Sequence, residues 1–209
     1  MMKLKICGMK YADNIREVAK FSPDFMGFIF HKDSKRFVGD DFVVPEISPA
    51  IKKVGVFVLG VGYFNNPKYD GVEIVMKEVK KHKLDYAQLH GDEVPEFCKD
   101  LSSHVKIIKA FGIDKDFDFE RLKEYEPYCE YFLFDTRSHG YGGTGKKFDW
   151  KILDRYKGKI PFFLSGGIDS AETGNTNPVA IDVNSKFEIE PGLKDITKLK
   201  KLKDELSGK

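Results

Sequence analysis

A thiol and a carboxyl that reach one ligand are enough to take a proton off one atom and place one on another, and this chain offers Cys7 and Asp135 for that work. Cys7 closes the short apolar run Leu4-Lys5-Ile6-Cys7, just before Gly8. A thiol at such a strand-to-loop exit is useful as a base because its pKa can be drawn toward neutrality. The same position also suits an inert buried cysteine, since free Cys is among the most buried residue types. Asp135 ends Tyr131-Phe132-Leu133-Phe134-Asp135. A carboxyl among bulky apolar residues tends to stay protonated and can act as an acid; it can equally cap the Gly-rich stretch that follows. Arg36, in Ser34-Lys35-Arg36, is either a solvated surface residue or a fork for a carboxylate. Ser165-Gly166-Gly167 directly follows an apolar run, where glycines let backbone N–H groups face an anion, unless the pair merely makes a tight turn. Ser185 in the next loop favours the anion reading.

Only a scaffold that gathers strand ends brings these residues together. Apolar runs at 4–7, 25–30, 54–58, 86–89, 105–110, 131–135, 160–164 and 179–183 read as eight strands. Their near-continuous apolar character marks a parallel sheet covered by helices. Helical patterns fall at 11–20, 70–82, 93–102, 117–126, 148–156 and 194–206, with 41–50 a further candidate interrupted by Pro45 and Pro49. Eight units of about 26 residues close naturally into a (β/α)₈ TIM barrel. An open doubly wound sheet would usually carry Gly-x-Gly-x-x-Gly after its first strand, where this chain has Cys7-Gly8-Met9-Lys10. In such barrels the site lies at the C-terminal strand ends. Cys7, His31, Gln88, His90, Asp135, Ser165, Asp182 and Ser185 then converge on one mouth.

Composition narrows the class further. With 209 residues, 41% of them hydrophobic, the chain is read as a single barrel domain spanning 1–209. Thirty-five basic and 33 acidic residues nearly cancel, so charge gives no case for a nucleic-acid or membrane partner. Cys7, Cys98 and Cys129 are odd in number and far apart, which fits a reducing compartment and neither a disulfide framework nor a structural zinc site. No apolar run approaches a membrane span, and the N-terminus has no signal-like core. The expectation is a soluble, cytoplasmic protein.

At this point the residues resemble a known family. Lys5-Ile6-Cys7-Gly8, Gly27-Phe28-Ile29-Phe30 with Ser34-Lys35-Arg36, Val54-Gly55-Val56-Phe57-Val58 and Gln88-Leu89-His90-Gly91-Asp92-Glu93 are similar to segments of the phosphoribosylanthranilate isomerases. So are Asp135-Thr136, Gly142-Gly143-Thr144-Gly145 with Phe148-Asp149-Trp150, Ser165-Gly166-Gly167, and Asp182-Val183-Asn184-Ser185 with Glu188, Pro191-Gly192 and Lys194-Asp195. The likeness is collinear over nearly the whole chain. It implies an Amadori rearrangement in tryptophan biosynthesis. Asp135 would be the general acid and Cys7 the general base. Arg36, Gln88, His90 and Asp182 would hold the substrate, and Gly143, Gly166, Gly167 and Ser185 its phosphate. No metal or organic cofactor is implied. The partner would be a small phosphorylated substrate, and the working form a monomer or homodimer.

Three departures stand out. Lys35 replaces the family's usual proline before Arg36, and Lys186 replaces the glycine after Ser185, where it either crowds the phosphate or adds a charge to it. Only about a dozen residues separate Gly167 from the eighth strand, and Gly174, Asn175, Asn177 and Pro178 are poor helix formers, so the seventh helix is expected to be shortened or missing. Two other classes remain open on sequence. One is a metal-dependent barrel hydrolase using Cys7, His31, His90, Asp135 and His139, although no paired histidines preorganise a metal. The other is a barrel that only binds a phosphorylated ligand. An isomerase of a different aminosugar phosphate is the nearest enzymatic alternative.

Overall fold

In the computed structural model, which describes residues 2–60, 70–136 and 148–208, eight parallel strands form a closed barrel in sequential order. They are β1 (Lys3–Ile6), β2 (Phe25–Ile29), β3 (Lys52–Phe57), β4 (Tyr86–Leu89), β5 (Lys106–Ile113), β6 (Tyr131–Thr136), β7 (Phe162–Leu164) and β8 (Ala180–Val183). The ring closes where β8 meets β1, with Lys3↔Ala180, Leu4↔Ile181, Lys5↔Asp182 and Ile6↔Val183 opposite one another.

Alternation along each strand sorts the side chains into two cores. Phe25, Val54, Tyr86, Ile108, Ala110, Leu133, Phe163 and Ala180 form one cluster that fills the barrel. Leu4, Ile6, Met26, Phe28, Phe132, Phe134 and Ile181 belong to the other, beneath the helices. The interior is aromatic at its base, with Phe25 and Phe163 ring centroids 5.0 Å apart. Above that floor the inward positions turn polar: Lys5 on β1 with Cys7 just past its end, Gln88 on β4, Asp135 on β6 and Asp182 on β8.

The helices are α1 (Ala12–Ala19), α2 (Gly71–His82), α3 (Pro95–Ser102) and α4 (Ile196–Leu206). Asp70 caps α2 by accepting from the Val72 and Glu73 N–H groups, and Asp195 caps α4 through Thr197 and Lys198. Pro95 opens α3, where its missing N–H costs nothing.

Elsewhere the cladding is thinner than the sequence pattern predicts. Residues 41–50 form no helix. Pro45 and Pro49 lack an N–H and push the residues before them toward extended backbone, which outweighs a weak apolar pattern. The helices expected at 117–126 and 148–156 are short 3-10 turns, Phe119–Glu124 and Trp150–Arg155. Residues 165–179 hold no helix between β7 and β8, as the run of Gly174, Asn175 and Pro178 suggests. A small antiparallel pair, β9 (Glu188–Glu190) with β10 (Leu193–Lys194), follows β8 and has no counterpart in the sequence reading. No helix among the described residues is long and apolar enough to cross a membrane.

Candidate active site

The C-terminal strand ends surround an open cavity. Cys7, Gln88, His90, Asp135 and Asp182 line it, together with Gly166, Gly167 and Ser185. Eight of the ten expected site residues are thus brought together. Gly143 lies outside the described residues, as do the rest of the Gly-rich stretch and His139. Arg36 stands just behind the wall, held by Glu188. His31, Ser34, Asn184 and Lys186 also face the cavity.

One wall is built on β1 and β8. Cys7 is 4% exposed and packs with Ile29 and Val56. Gly27 makes its space: a Cβ there would sit 2.7 Å from the thiol sulfur. Burial pushes the Cys7 thiol above its ordinary range, against the opposing pull of Lys5. A thiol drawn down to neutrality, the sequence expectation, is therefore not its resting condition. Lys5 lies two residues below on the same face and is 0% exposed. Its Nζ donates to Asp182 Oδ1 at 2.8 Å. Burial works against that ammonium, but Asp182 and Cys7 outweigh it and the proton is held more tightly than usual. Ser165 Oγ donates to the other Asp182 oxygen at 3.3 Å, linking β7 to the pair.

Behind this wall lies a second buried group of charges. Arg36 donates to Glu188 through Nε (2.9 and 3.0 Å) and Nη2 (2.7 Å). Lys194, fully buried, donates to Glu188 Oε1 at 2.7 Å and to Asn184 Oδ1 at 2.8 Å. Burial opposes the Glu188 charge, yet Arg36 and Lys194 prevail and hold its carboxyl below the usual range. Asn14 on α1 pins β10 by accepting from the Lys194 N–H at 2.8 Å and donating to its carbonyl at 3.0 Å. Glu188 and Lys194 pair with each other only six residues apart, but the partners that tie them to the rest of the barrel, Arg36 and Asn14, lie far away in the chain and leave no sequence signal beyond the motif.

The opposite wall is built on β4 and β6. Gln88 Nε2 lies 3.1 Å from His90 Nδ1. With the amide nitrogen there, the ring proton falls on Nε2, which lies 3.5 Å from Asp135 Oδ2. Asp135 Oδ1 accepts from the Thr136 N–H at 2.7 Å. Gln88 is buried, and its Oε1 has no partner among the described residues. Gly166, at φ +86°, lets the β7 loop lie against this wall, since a Cβ there would come within 2.9 Å of Asp135 Oδ1. Beneath the wall, Glu93 ties two loops together by accepting from the Leu59 and Gly91 N–H groups and pairing with Lys109 at 3.1 Å. Among the described residues, no cluster of three His, Cys, Asp or Glu side chains is placed to hold a metal ion.

A parallel eight-stranded ring with titratable groups facing each other across its C-terminal mouth is the frame of a (β/α)₈-barrel enzyme that works by proton transfer. Known proteins refine that class. The family model described as N-(5'phosphoribosyl)anthranilate (PRA) isomerase matches residues 4–205. The N-(5'-phosphoribosyl)anthranilate isomerase of Parabacteroides distasonis is 48% identical, over 95% of this chain and 90% of that protein. The one from Phocaeicola vulgatus is 39% identical, over 93% and 92%. The crystal structure of the Thermotoga maritima phosphoribosyl anthranilate isomerase superposes with a TM-score of 0.79 at 29% identity, each chain fully covered. The chain belongs to the N-(5'-phosphoribosyl)anthranilate isomerase family, the intramolecular aldose–ketose isomerases of tryptophan biosynthesis.

Proposed function

We propose that this mouth performs the Amadori rearrangement of N-(5'-phosphoribosyl)anthranilate with Asp135 as general acid and Cys7 as general base. Asp135 protonates the furanose ring oxygen, and the ring opens to a Schiff base. Cys7, as thiolate, removes the C2' proton, and the resulting enolamine tautomerises to the ketone. The imine is the electron sink, so neither a metal nor an organic cofactor enters the reaction. The observation that carries this reading is that Cys7 and Asp135 face the same cavity from β1 and β6, with Gly166 and Gly167 at its rim.

The remaining roles follow the family resemblance and the lining of the cavity. Gly166, Gly167, Ser185 and Gly143 hold the phosphate, and Lys186 adds a positive charge beside it. Asp182 and Gln88, whose Oε1 is the unengaged acceptor, receive hydroxyl or amine hydrogens of the substrate. Arg36 clamps the anthranilate carboxylate through its Nη1 edge, the one Glu188 does not occupy. A small phosphorylated ligand is consistent with a 27%-identical relative whose structure is titled as a complex with reduced 1-(o-carboxyphenylamino)-1-deoxyribulose 5-phosphate. The chain works in the cytoplasm as a monomer or a homodimer; a Thermotoga maritima relative is described as dimeric.

The test is direct. Phosphoribosylanthranilate is generated in place from anthranilate and phosphoribosyl pyrophosphate, and its fluorescence decay is followed. Wild type is expected to accelerate the decay, with Cys7→Ala and Asp135→Asn each losing about a hundredfold or more in kcat/KM. Folded wild type without activity would return the site to the rank of a phosphorylated-ligand pocket.

A further inference from the structure

Lys5 is a fully buried ammonium that none of the steps above uses. We propose that Lys5 is the positioning residue for the base: a permanent positive charge inside the barrel, held by Asp182, that allows the buried Cys7 thiol to lose its proton. The proposal rests on Cys7 being the base. It deepens that reading by naming what makes a buried thiol fit for it.

Geometry carries the case. Lys5 lies on β1 and Cys7 two residues on, just past the strand's end, where its N–H still bonds the Val183 carbonyl of β8, so the two share the inward face. Lys5 stands directly opposite Asp182 in the β1–β8 register, and the 2.8 Å bond ties its Nζ there. Ser165 holds the other Asp182 oxygen. The ammonium therefore cannot swing out to solvent. Ionising a buried thiol with no cation beside it is strongly disfavoured. The charges that bear on Cys7 are Lys5 from its own strand, Asp182 from β8 and Lys194 from β10. His31, His90, Asp135 and Lys186 line the same cavity from the other strand ends. Among the three charges that bear on the sulfur, Lys5 favours the thiolate most strongly, Asp182 opposes it and Lys194 assists. During turnover Lys5 keeps its proton, and the C2' hydrogen goes to sulfur alone.

Alkylation of Cys7 by iodoacetamide, followed peptide by peptide by mass spectrometry across pH, reads the thiol without any catalysis. Lys5→Met is expected to raise the midpoint of the alkylation profile by about one pH unit or more. Asp182→Asn is expected to lower it. A merely structural role predicts the opposite sign for Lys5→Met. Loosening the barrel would let water reach a thiol that burial holds high, and the midpoint would fall. Lys5→Met leaves Asp182 buried and unpaired, so the double variant Lys5→Met/Asp182→Asn, which removes both charges, is measured beside it. Its midpoint is also expected above wild type. An unchanged or lowered midpoint in both Lys5 variants overturns the proposal. The kcat/KM profile, taken separately, reports on the base assignment: a raised alkylation midpoint with an unshifted activity profile would remove Cys7 as base while leaving the Lys5–Cys7 pairing intact.

Discussion

The two walls of the mouth are made differently. On the β1–β8 side the charges beneath and behind the cavity are largely buried and answered, Lys5 by Asp182, and Arg36 and Lys194 by Glu188, with Lys186 exposed at the rim. On the β4–β6 side the titratable groups that face the cavity are partly solvated, with the His90 side chain 29% exposed and that of Asp135 18%, and the buried Glu93–Lys109 pair lies beneath them. The difference matches the two halves of the chemistry proposed for Cys7 and Asp135. A base that removes a carbon-bound proton gains from dryness, because water would solvate the thiolate and blunt it. An acid that must be reprotonated each turnover gains from contact with solvent. Dryness costs ionisation energy, and the buried ammonium of Lys5, assisted by Lys194, offsets part of it on the side that needs it.

This contrast can be broken most forcefully at Glu188. Glu188→Ala strips the counter-ion from Arg36 and Lys194 together, and should lower the unfolding free energy by about 3–5 kcal/mol in urea titration. Next comes Asn14→Ala, which leaves the backbone N–H and carbonyl of Lys194 unanswered in the interior; a loss of about 1–3 kcal/mol is expected by the same measurement. On the wet wall the balance should reverse. His90→Gln is expected to change stability by less than about 1 kcal/mol, yet to lower kcat/KM by about tenfold, because Asp135 loses the Nε2–H that faces it. Equal stability losses on both walls would contradict the contrast. The smallest effect sharpens it through pH. The Glu188 carboxyl is held below its ordinary 4.5, so its stabilisation is full above that value and fades as pH falls through the depressed one. Acid unfolding curves of Glu188→Gln should lack that share of the slope, while Asp135→Asn retains it.

Much of the barrel was legible because a buried parallel strand writes itself as an uninterrupted apolar run, as in Phe25–Ile29, where all five residues are buried. The cladding was less so. Period and composition do not separate an α-helix from a 3-10 turn over six residues, so Phe119–Glu124 and Trp150–Arg155 were read as longer helices. Residues 41–50 carried a helical pattern that their two prolines veto. For the site, strand ends sufficed to gather Cys7, Asp135, Gln88, His90 and Asp182. What sequence concealed was pairing across distance. Arg36 and Glu188 are 152 positions apart, and Lys5 and Asp182 are 177 apart. A lysine next to a cysteine looks like a surface residue until the ring closes and sets a carboxylate beside it.

Closure itself is uneven. β7 has three residues and meets β8 at only two registered positions, as β1 does β2; but α1 fills the β1–β2 connection while the β7–β8 connection holds no helix of its own, and β1 is stapled on its other side to β8 at four positions. A cylinder of staves opens at its least-hooped joint. The amide of Leu164, on the β8-facing side of β7, should therefore exchange with solvent deuterium well before that of Lys5, on the β8-facing side of β1. The Ser165–Gly167 rim hangs from that stave, so each brief parting of the seam would carry the anion-facing glycines with it and leave Cys7 and Lys5, on the firmly hooped side, where they were.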